Sequence, residues 1–540
     1  MQKYTLIFFI FWILFFFLGL PLLSPGALFV LDFVPLPFTH WQTWSSTSLQ
    51  WHIVDVLNYI FEYSITSKIY FCIVYLVGIF AGIHIGDSLW LILKNTHPHK
   101  IFILRITSIL FILCNPWTYE RMITQPGIAL GMFSLVICLS YLIKNIFSSQ
   151  KYILFKASIA AAFSLLFFQH ASFLLLLIGS LYSIFYFKQI EKKYFIIAPL
   201  IILFLNANWL IWSIFLKENT STAIIQTFDR ANIEWFIWNS LSGLWSEITH
   251  ILLYGFWGEK YHILTPEKFN AYWYLFWFIV LGIIIYGNLV LYKKEKKLWW
   301  FLSLLTVSSY ILALGIASPF SSPVSNFLYE YIPGYIGMRE PQKWLWLSMI
   351  CYAFFFWIAV FSGTEKKTYF PSWLIIATVF TLLNTWNPMN LWAYQGQLLW
   401  VSIPENYFTA RDFLLTEKKE GKVLVLPWHT YMSCKWTRWK VIATKHEDMF
   451  YPLPTIVSDN IEIDTKYTNS SSPVSRDIEK YLQNKDLSIL QKQNVVYILM
   501  VKNCASEKQF DYLKKETKTY KNIYSNPDID IYSIYYETNK

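Results

Sequence analysis

PGIALGMFSLVICLSYLI, residues 126–143, runs for eighteen positions without a charged side chain. A bilayer core needs about 20 apolar residues in a helix, or somewhat fewer when the helix is tilted or buried in a bundle. Runs of the same kind lie near 4–23, 69–93, 101–114, 153–169, 171–187, 194–215, 271–292, 298–317, 343–361 and 371–384, so eleven spans are expected. Those at 101–114 and 371–384 are short, and the boundary near Gln169-His170 is weakly marked. The first run, Leu6 to Leu23, exceeds the usual signal-peptide core of about 7–15 residues and no A-x-A site follows it, so it reads as a retained span.

The rest of the composition agrees. Of 540 residues, 55% are hydrophobic and 14% charged, where a soluble domain carries about 25% charged. Aromatic residues make up 20%, including 26 Trp and 36 Tyr, types that favour bilayer interfaces. The net charge of +10 sits in short clusters between apolar runs, which suits membrane topology rather than a nucleic-acid partner. One set of loops holds Lys3, Lys94, Lys100, Lys144, Lys151, Lys156, Lys188, Lys192, Lys193, Lys293, Lys294, Lys296, Lys297, Lys366 and Lys367, against only Glu191, Glu295 and Glu365. That set is read as cytoplasmic. The N-terminus is then inside, and an odd number of spans puts the C-terminal part outside.

Three outer loops are long: 24–68, 216–270 and 318–342. Within the first, Trp41 to Tyr63 mixes aromatic and aliphatic residues with polar ones as an interfacial helix does. In the second, Trp235–Trp238 and Ile251–Trp257 are apolar patches too short to span. From about Asn387 the charge rises. Lys422–Pro427 and Val495–Val501 read as buried strands, Arg476–Asn484 and Glu507–Lys518 as helices, and Ile529–Tyr535 as a last strand. The expected architecture is an α-helical polytopic membrane domain, 1–386, followed by an extracytoplasmic α/β domain, 387–540. Cys72, Cys114, Cys138 and Cys351 lie in apolar runs, whereas Cys434 and Cys504 lie in the polar tail and could pair there. Asn219 and Asn469 begin short N-glycosylation patterns that recur by chance.

Polar groups at the bilayer edge are the candidates for chemistry. Asp32, inside GALFVLDFVPLP (26–37), is the only acidic residue before Asp55. An apolar loop can suit such a carboxylate to general-base work, and a cap or an ion pair is the structural alternative. NPWTYER (115–121) closes the third span. Its Glu120 and Arg121 suit a divalent metal such as magnesium or manganese and a phosphate, or else an interfacial turn with Tyr119 and Arg121 as anchors. His170 sits at an outer turn, where a lone His more often packs than binds. Finally, YIGMREPQK (335–343) brings Arg339, Glu340 and Lys343 to the entrance of the tenth span. Pro341 suits the first turn of that helix, whose positive end would face an outer-side phosphate. The structural alternative is that Glu340 buffers the two cations. No P-loop, no strand–turn–helix GxGxxG and no HExxH helix occurs in the sequence.

The layout resembles the GT-C superfamily of membrane glycosyltransferases, and more closely a group of bacterial GT-C-like membrane proteins. The matching pieces are Leu31-Asp32, Asn115-Pro116 with Tyr119-Glu120-Arg121, Asn208-Trp209, Gly255-Phe256-Trp257, Arg339 to Lys343, Val423 to Trp428 and Val496-Tyr497-Ile498. The resemblance implies sugar transfer from a polyprenyl-phosphate donor to an envelope glycan, lipid or protein acceptor. It implies Asp32 and Glu120 as the acidic catalytic positions, and Arg121, Arg339, Lys343 and His170 as donor contacts supported by Glu340 and Tyr119. The first loop carries one Asp where several GT-C families carry an acidic pair, and no W-W-D-x-G sequence is present. A non-catalytic envelope protein or a lipid or polysaccharide transporter on the same fold is the rival reading. A transporter more often shows inverted repeats and broken helices at the midplane. Here the acidic candidates cluster at the outer face instead.

Overall fold

The computed structural model describes residues 49–94, 98–148, 150, 152–207, 210, 233–236, 244–255, 258, 271–362, 394, 398–417, 419–443, 450–463, 466–468, 470, 472–505 and 507–535. Before residue 49 it describes 10, 12, 14, 15, 18, 19, 22, 26–30 and 32. A short strand, β1 (Ala27–Phe29), precedes helices α1 (Leu49–Ile60), α2 (Tyr63–Ile92), α3 (Pro98–Cys114), α4 (Pro116–Thr124), α5 (Pro126–Phe147), α6 (Ile153–Phe167), α7 (Ala171–Tyr186) and α8 (Tyr194–Leu205). Then follow α9 (Leu244–Ile251), α10 (Ala271–Lys294), α11 (Lys296–Leu314), α12 (Ser322–Tyr331) and α13 (Leu345–Ser362). Helices therefore occupy nine of the eleven expected spans. The run near 4–23 is described only at scattered positions, and 371–384 lies outside the described residues.

Among the described residues six helices are long and apolar enough to cross a membrane, or seven if the bent pair α3–α4 is one span. Helices α6 and α8 are apolar but shorter. The span Pro341–Ser362 is 94% buried within the protein, whereas those beginning at Ala171 and Trp277 are 28% buried. The first is thus the central helix and the other two face lipid. Helices α2 and α3 pack backbone to backbone. A Cβ on Gly82 would stand 2.5 Å from the Ile109 Cα, and one on Gly86 2.7 Å from the Arg105 Cα. Small residues four apart permit this approach, which is how helices associate where no hydrophobic effect acts between them. Helix α1 leaves Val56, Tyr59 and Ile60 exposed beside Phe61, as an interfacial helix would.

Residues after 398 form a mixed sheet. Helix α14 (Glu405–Thr416) leads into β3 (Lys422–Leu426), the hairpin β4 (Tyr431–Ser433) and β5 (Val441–Ala443), β6 (Thr455–Ile456), the hairpin β7 (Ile461–Ile463) and β8 (Lys466–Thr468), and helices α15 (Pro473–Asn484) and α16 (Leu487–Lys492). Strands β9 (Val495–Val501), β10 (Tyr520–Ser525) and β11 (Ile529–Ile534) complete it in the order β10-β11-β9-β3-β6. Strand β3 runs parallel to β6 and β9, whereas β11 is antiparallel to both of its neighbours. The runs 422–427 and 495–501 form adjacent central strands because both faces of that sheet are covered by apolar clusters. Residues 507–518, expected as one helix, form only a 3-10 turn at Glu507–Phe510 and a single turn at Tyr512–Lys515. Phe510 and Leu513 there are buried in the apolar core and Tyr512 packs against it, too few to hold a long amphipathic helix.

The sheet region is tied to the start of the chain through one strand and braced internally by a disulfide. Strand β1 pairs antiparallel with β2 (Leu399–Val401), and Ala27 and Phe29 enter the same core as Tyr407, Val423 and Leu499. Cys434 and Cys504 form a disulfide, closing a separation of 70 residues.

Candidate functional site at the entrance to the central helix

The site is built on a sharp joint. Pro116 has no N–H and cannot continue α3, so the chain turns by 57° into α4. Asn115 serves both helices at once. Its Oδ1 accepts from the Thr118 N–H at 2.9 Å, capping α4, while its Nδ2 donates to the Ile112 carbonyl at 2.7 Å, closing the end of α3. Helix α4 is thereby held so that Arg121 and Gln125, four residues apart, share one face.

The opposite wall is the turn that enters the central helix. Two 3-10 turns, Tyr335–Met338 and Pro341–Trp344, flank Arg339 and Glu340. Pro341 stands at the first position of its turn, as the sequence suggests. Arg121 Nη1 donates to Glu340 Oε2 at 2.7 Å, and Lys343 Nζ lies 3.4 Å from Glu340 Oε1. Arg121, Glu340 and Lys343 are each no more than 2% exposed. Aromatic rings line the cations: Trp117 under Arg121 at 5.5 Å, Phe236 under Arg339 at 5.3 Å and Phe168 under Lys343 at 5.4 Å.

Asp32 completes the site from the first loop. Its backbone N–H donates to the Thr124 carbonyl at 3.1 Å, docking the loop on the end of α4. Gln125 Nε2 donates to Asp32 Oδ2 at 2.9 Å, and the Tyr431 hydroxyl donates to Oδ1 at 3.1 Å. The Gln125 Oε1 accepts from Arg121 Nη1. A continuous chain of charge-assisted hydrogen bonds thus runs Asp32–Gln125–Arg121–Glu340. Asp32 and Arg339 are half-buried, as are Gln125, His170 and Tyr431.

The electrostatics follow from that geometry. Burial alone would raise the Glu340 carboxyl, but the charges of Lys343, Arg121 and Arg339 outweigh it and hold the group below the usual carboxylate range. Burial and the neighbouring Lys343 and Arg339 push His170 well below its ordinary value, so its ring is neutral. Burial and the Asp32 charge raise Tyr431 well above a normal phenol, which fixes it as the donor in its bond to Asp32. Arg121, Arg339 and Lys343 gather around the Glu340 carboxylate here, with Asp32 at the edge of the group. Guanidinium and ammonium groups set together in this way are suited to an anion such as a phosphate.

Among solved structures, the cryo-EM structure of arabinofuranosyltransferase AftD from Mycobacteria superposes with a TM-score of 0.56, covering 96% of this chain at 11% identity. The protein has a GT-C-like fold. It spans 39% of the length of AftD. ArnT from Cupriavidus metallidurans (10% identity, 91% of this chain, 88% of that one) and the Archaeoglobus fulgidus oligosaccharyltransferase (12%, 95% and 68%) superpose at 0.35 and 0.36. Scores that low add no weight. No family model and no curated protein matches the sequence.

On this GT-C-like fold, Asp32, Arg121, Arg339, Glu340, Lys343 and His170, chosen separately from the sequence, come together at one place. His170 is pressed against Gly337: a Cβ there would collide with the imidazole Nε2. Glu120 is buried one position before Arg121, about 100° around the helix, and the network from Asp32 to Glu340 passes through Arg121 and Gln125 instead. The Tyr119 ring packs on Tyr394 with centroids 5.8 Å apart, and the Tyr394 hydroxyl bonds that of Tyr75. That places Tyr119 in an aromatic cluster between helices. No group of three His, Cys, Asp or Glu side chains converges as a metal-ligand set among the described residues. Gln125, Tyr431 and Gly337 were not among the sequence candidates. Gln125 carried a signal, its spacing of four from Arg121; Tyr431 carried none. Asn208-Trp209 and Phe256-Trp257 lie outside the described residues.

Proposed function

We propose that the protein is an inverting membrane glycosyltransferase that moves a sugar from a polyprenyl-phosphate donor to a hydroxyl of an envelope glycan, lipid or protein. The observation that carries this reading is the placement of the half-buried Asp32 beside the cluster of Arg121, Arg339, Glu340 and Lys343, at the entrance to the central helix. The acceptor oxygen attacks the anomeric carbon while Asp32 takes its proton. The bond from that carbon to the phosphate oxygen breaks, and its electron pair leaves with the lipid phosphate. Arg339 and Lys343 stabilise the charge that grows there, and Arg121 holds Glu340 so that Lys343 stays in place. A donor that lives in the membrane requires no nucleotide pocket.

The test is transfer itself. Protein in nanodiscs is given polyprenyl-phosphate sugars and an envelope extract, and glycosylated product should appear in step with free polyprenyl phosphate. Donor that binds and crosses the membrane intact, with no product, would favour the transporter reading.

The reading also requires the tail and the site to face outward, as the charge asymmetry of the loops suggests. The disulfide Cys434–Cys504 fits an oxidising compartment. On intact spheroplasts, an impermeant maleimide is expected to label these two cysteines after mild reduction. Labelling only after the membrane is broken would reverse the orientation.

A further inference from the structure

We propose that Tyr431 of the C-terminal sheet region is a positioning residue for Asp32, so that the sheet region forms part of the reactive site. The inference rests on Asp32 as the base. Two residues from distant parts of the chain grip one carboxylate: Gln125 from the helical bundle takes Oδ2 and Tyr431 takes Oδ1, at 2.9 and 3.1 Å. Tyr431 is 399 residues from Asp32 in sequence, and the chain fixes it from both sides. Before it, the Thr430 N–H donates to Glu462 Oε2 at 3.2 Å and the Thr430 hydroxyl to the Asn460 carbonyl at 2.6 Å. After it, β4 pairs with β5, and Cys434 is bridged to Cys504 just beyond the end of β9. The hydroxyl is therefore presented by a braced hairpin.

The chemistry gives the grip a purpose. A carboxylate has about four lone-pair positions, and these two donors take one on each oxygen. With a donor on each oxygen, the carboxylate is held in one orientation. Burial and the charge of Asp32 keep the phenol protonated, so Tyr431 remains a donor throughout and does not compete for the acceptor's proton.

The experiment uses the full chain carrying Tyr431→Phe, which removes one oxygen and keeps the ring. Two readouts are taken. The first needs no substrate: the infrared carboxylate band of Asp32, isolated by subtracting the Asp32→Asn spectrum, should shift in Tyr431→Phe. The second is steady-state transfer. Loss of one hydrogen bond to a charged group should lower kcat by roughly 10–100-fold with KM unchanged, and the acid limb of the pH–rate profile should move to higher pH. An unshifted band together with wild-type kcat would overturn the proposal. If thermal unfolding shows Tyr431→Phe to be unstable, Gln125→Glu, which loads the other oxygen with a like charge, should displace the same band; an unmoved band there also overturns it. A shifted band in a protein whose Asp32→Asn variant is fully active would leave the grip standing and remove the base assignment instead.

Discussion

Asp32→Asn is expected to lower transfer by about 10²–10⁴-fold while leaving the fold intact. The size follows from losing a general base outright, since an amide cannot accept the acceptor's proton. The intact fold follows from the contacts. Asparagine keeps one oxygen for Gln125 Nε2, and the Tyr431 hydroxyl can rotate to accept from the new amide. The backbone bond from residue 32 to the Thr124 carbonyl is untouched. If Asp32 merely fastened the loop, the change would instead cost about 0.5–2 kcal/mol of stability with partial activity retained. Turnover at the wild-type rate in a well-folded variant would rule out the assignment.

Glu340→Gln is expected to act on stability as well as activity. Glu340 is the carboxylate that faces both Arg121 and Lys343 inside the protein. Removing one partner of a buried ion pair costs about 3–5 kcal/mol, because the cations left behind cannot regain water. Thermal unfolding in detergent should show a correspondingly lower midpoint. Replacing Arg121, Glu340 and Lys343 together by Met should recover much of that loss, since no orphaned charge remains, yet donor binding should still fail. The folded protein holds the Glu340 carboxyl below its ordinary value of 4.5. Its contribution is therefore fully present above that pH and is lost as the pH falls through the lower, folded value. Wild-type stability should decline in that acid range, and the decline should be shallower in Glu340→Gln. Equal acid sensitivity in both proteins would contradict this account of the cluster.

The membrane class was legible because the bilayer admits only helices or closed barrels whose backbone bonds are satisfied internally, and 126–143 or 343–361 can satisfy no other rule. The joint at Asn115-Pro116 was legible for a local reason, as a proline ends one helix and begins the next. The charged turn at Arg339–Lys343 stood out because charge at the edge of a span is costly unless it is partnered. What the sequence withheld was adjacency. Nothing in GALFVLDFVPLP says that Asp32 meets Gln125, and a tyrosine beyond residue 400 in a polar tail looks like any other. The pairing of β1 with β2 was hidden for the same reason: Ala27–Phe29 is three residues long and finds its partner at Leu399–Val401. Glu120 drew notice by its charge, and its buried place beside Arg121 could not be read from the sequence either.

The most direct test of the account is a cryo-EM structure of the Asp32→Asn protein in nanodiscs with a polyprenyl-phosphate sugar bound. The substitution should slow transfer enough to leave the donor intact. The account requires the phosphate to contact Arg339 and Lys343, with the anomeric carbon facing residue 32 and the lipid chain passing into the bilayer beside the central helix. A donor phosphate seated elsewhere, with the Arg121–Glu340–Lys343 cluster sealed and untouched, would contradict it.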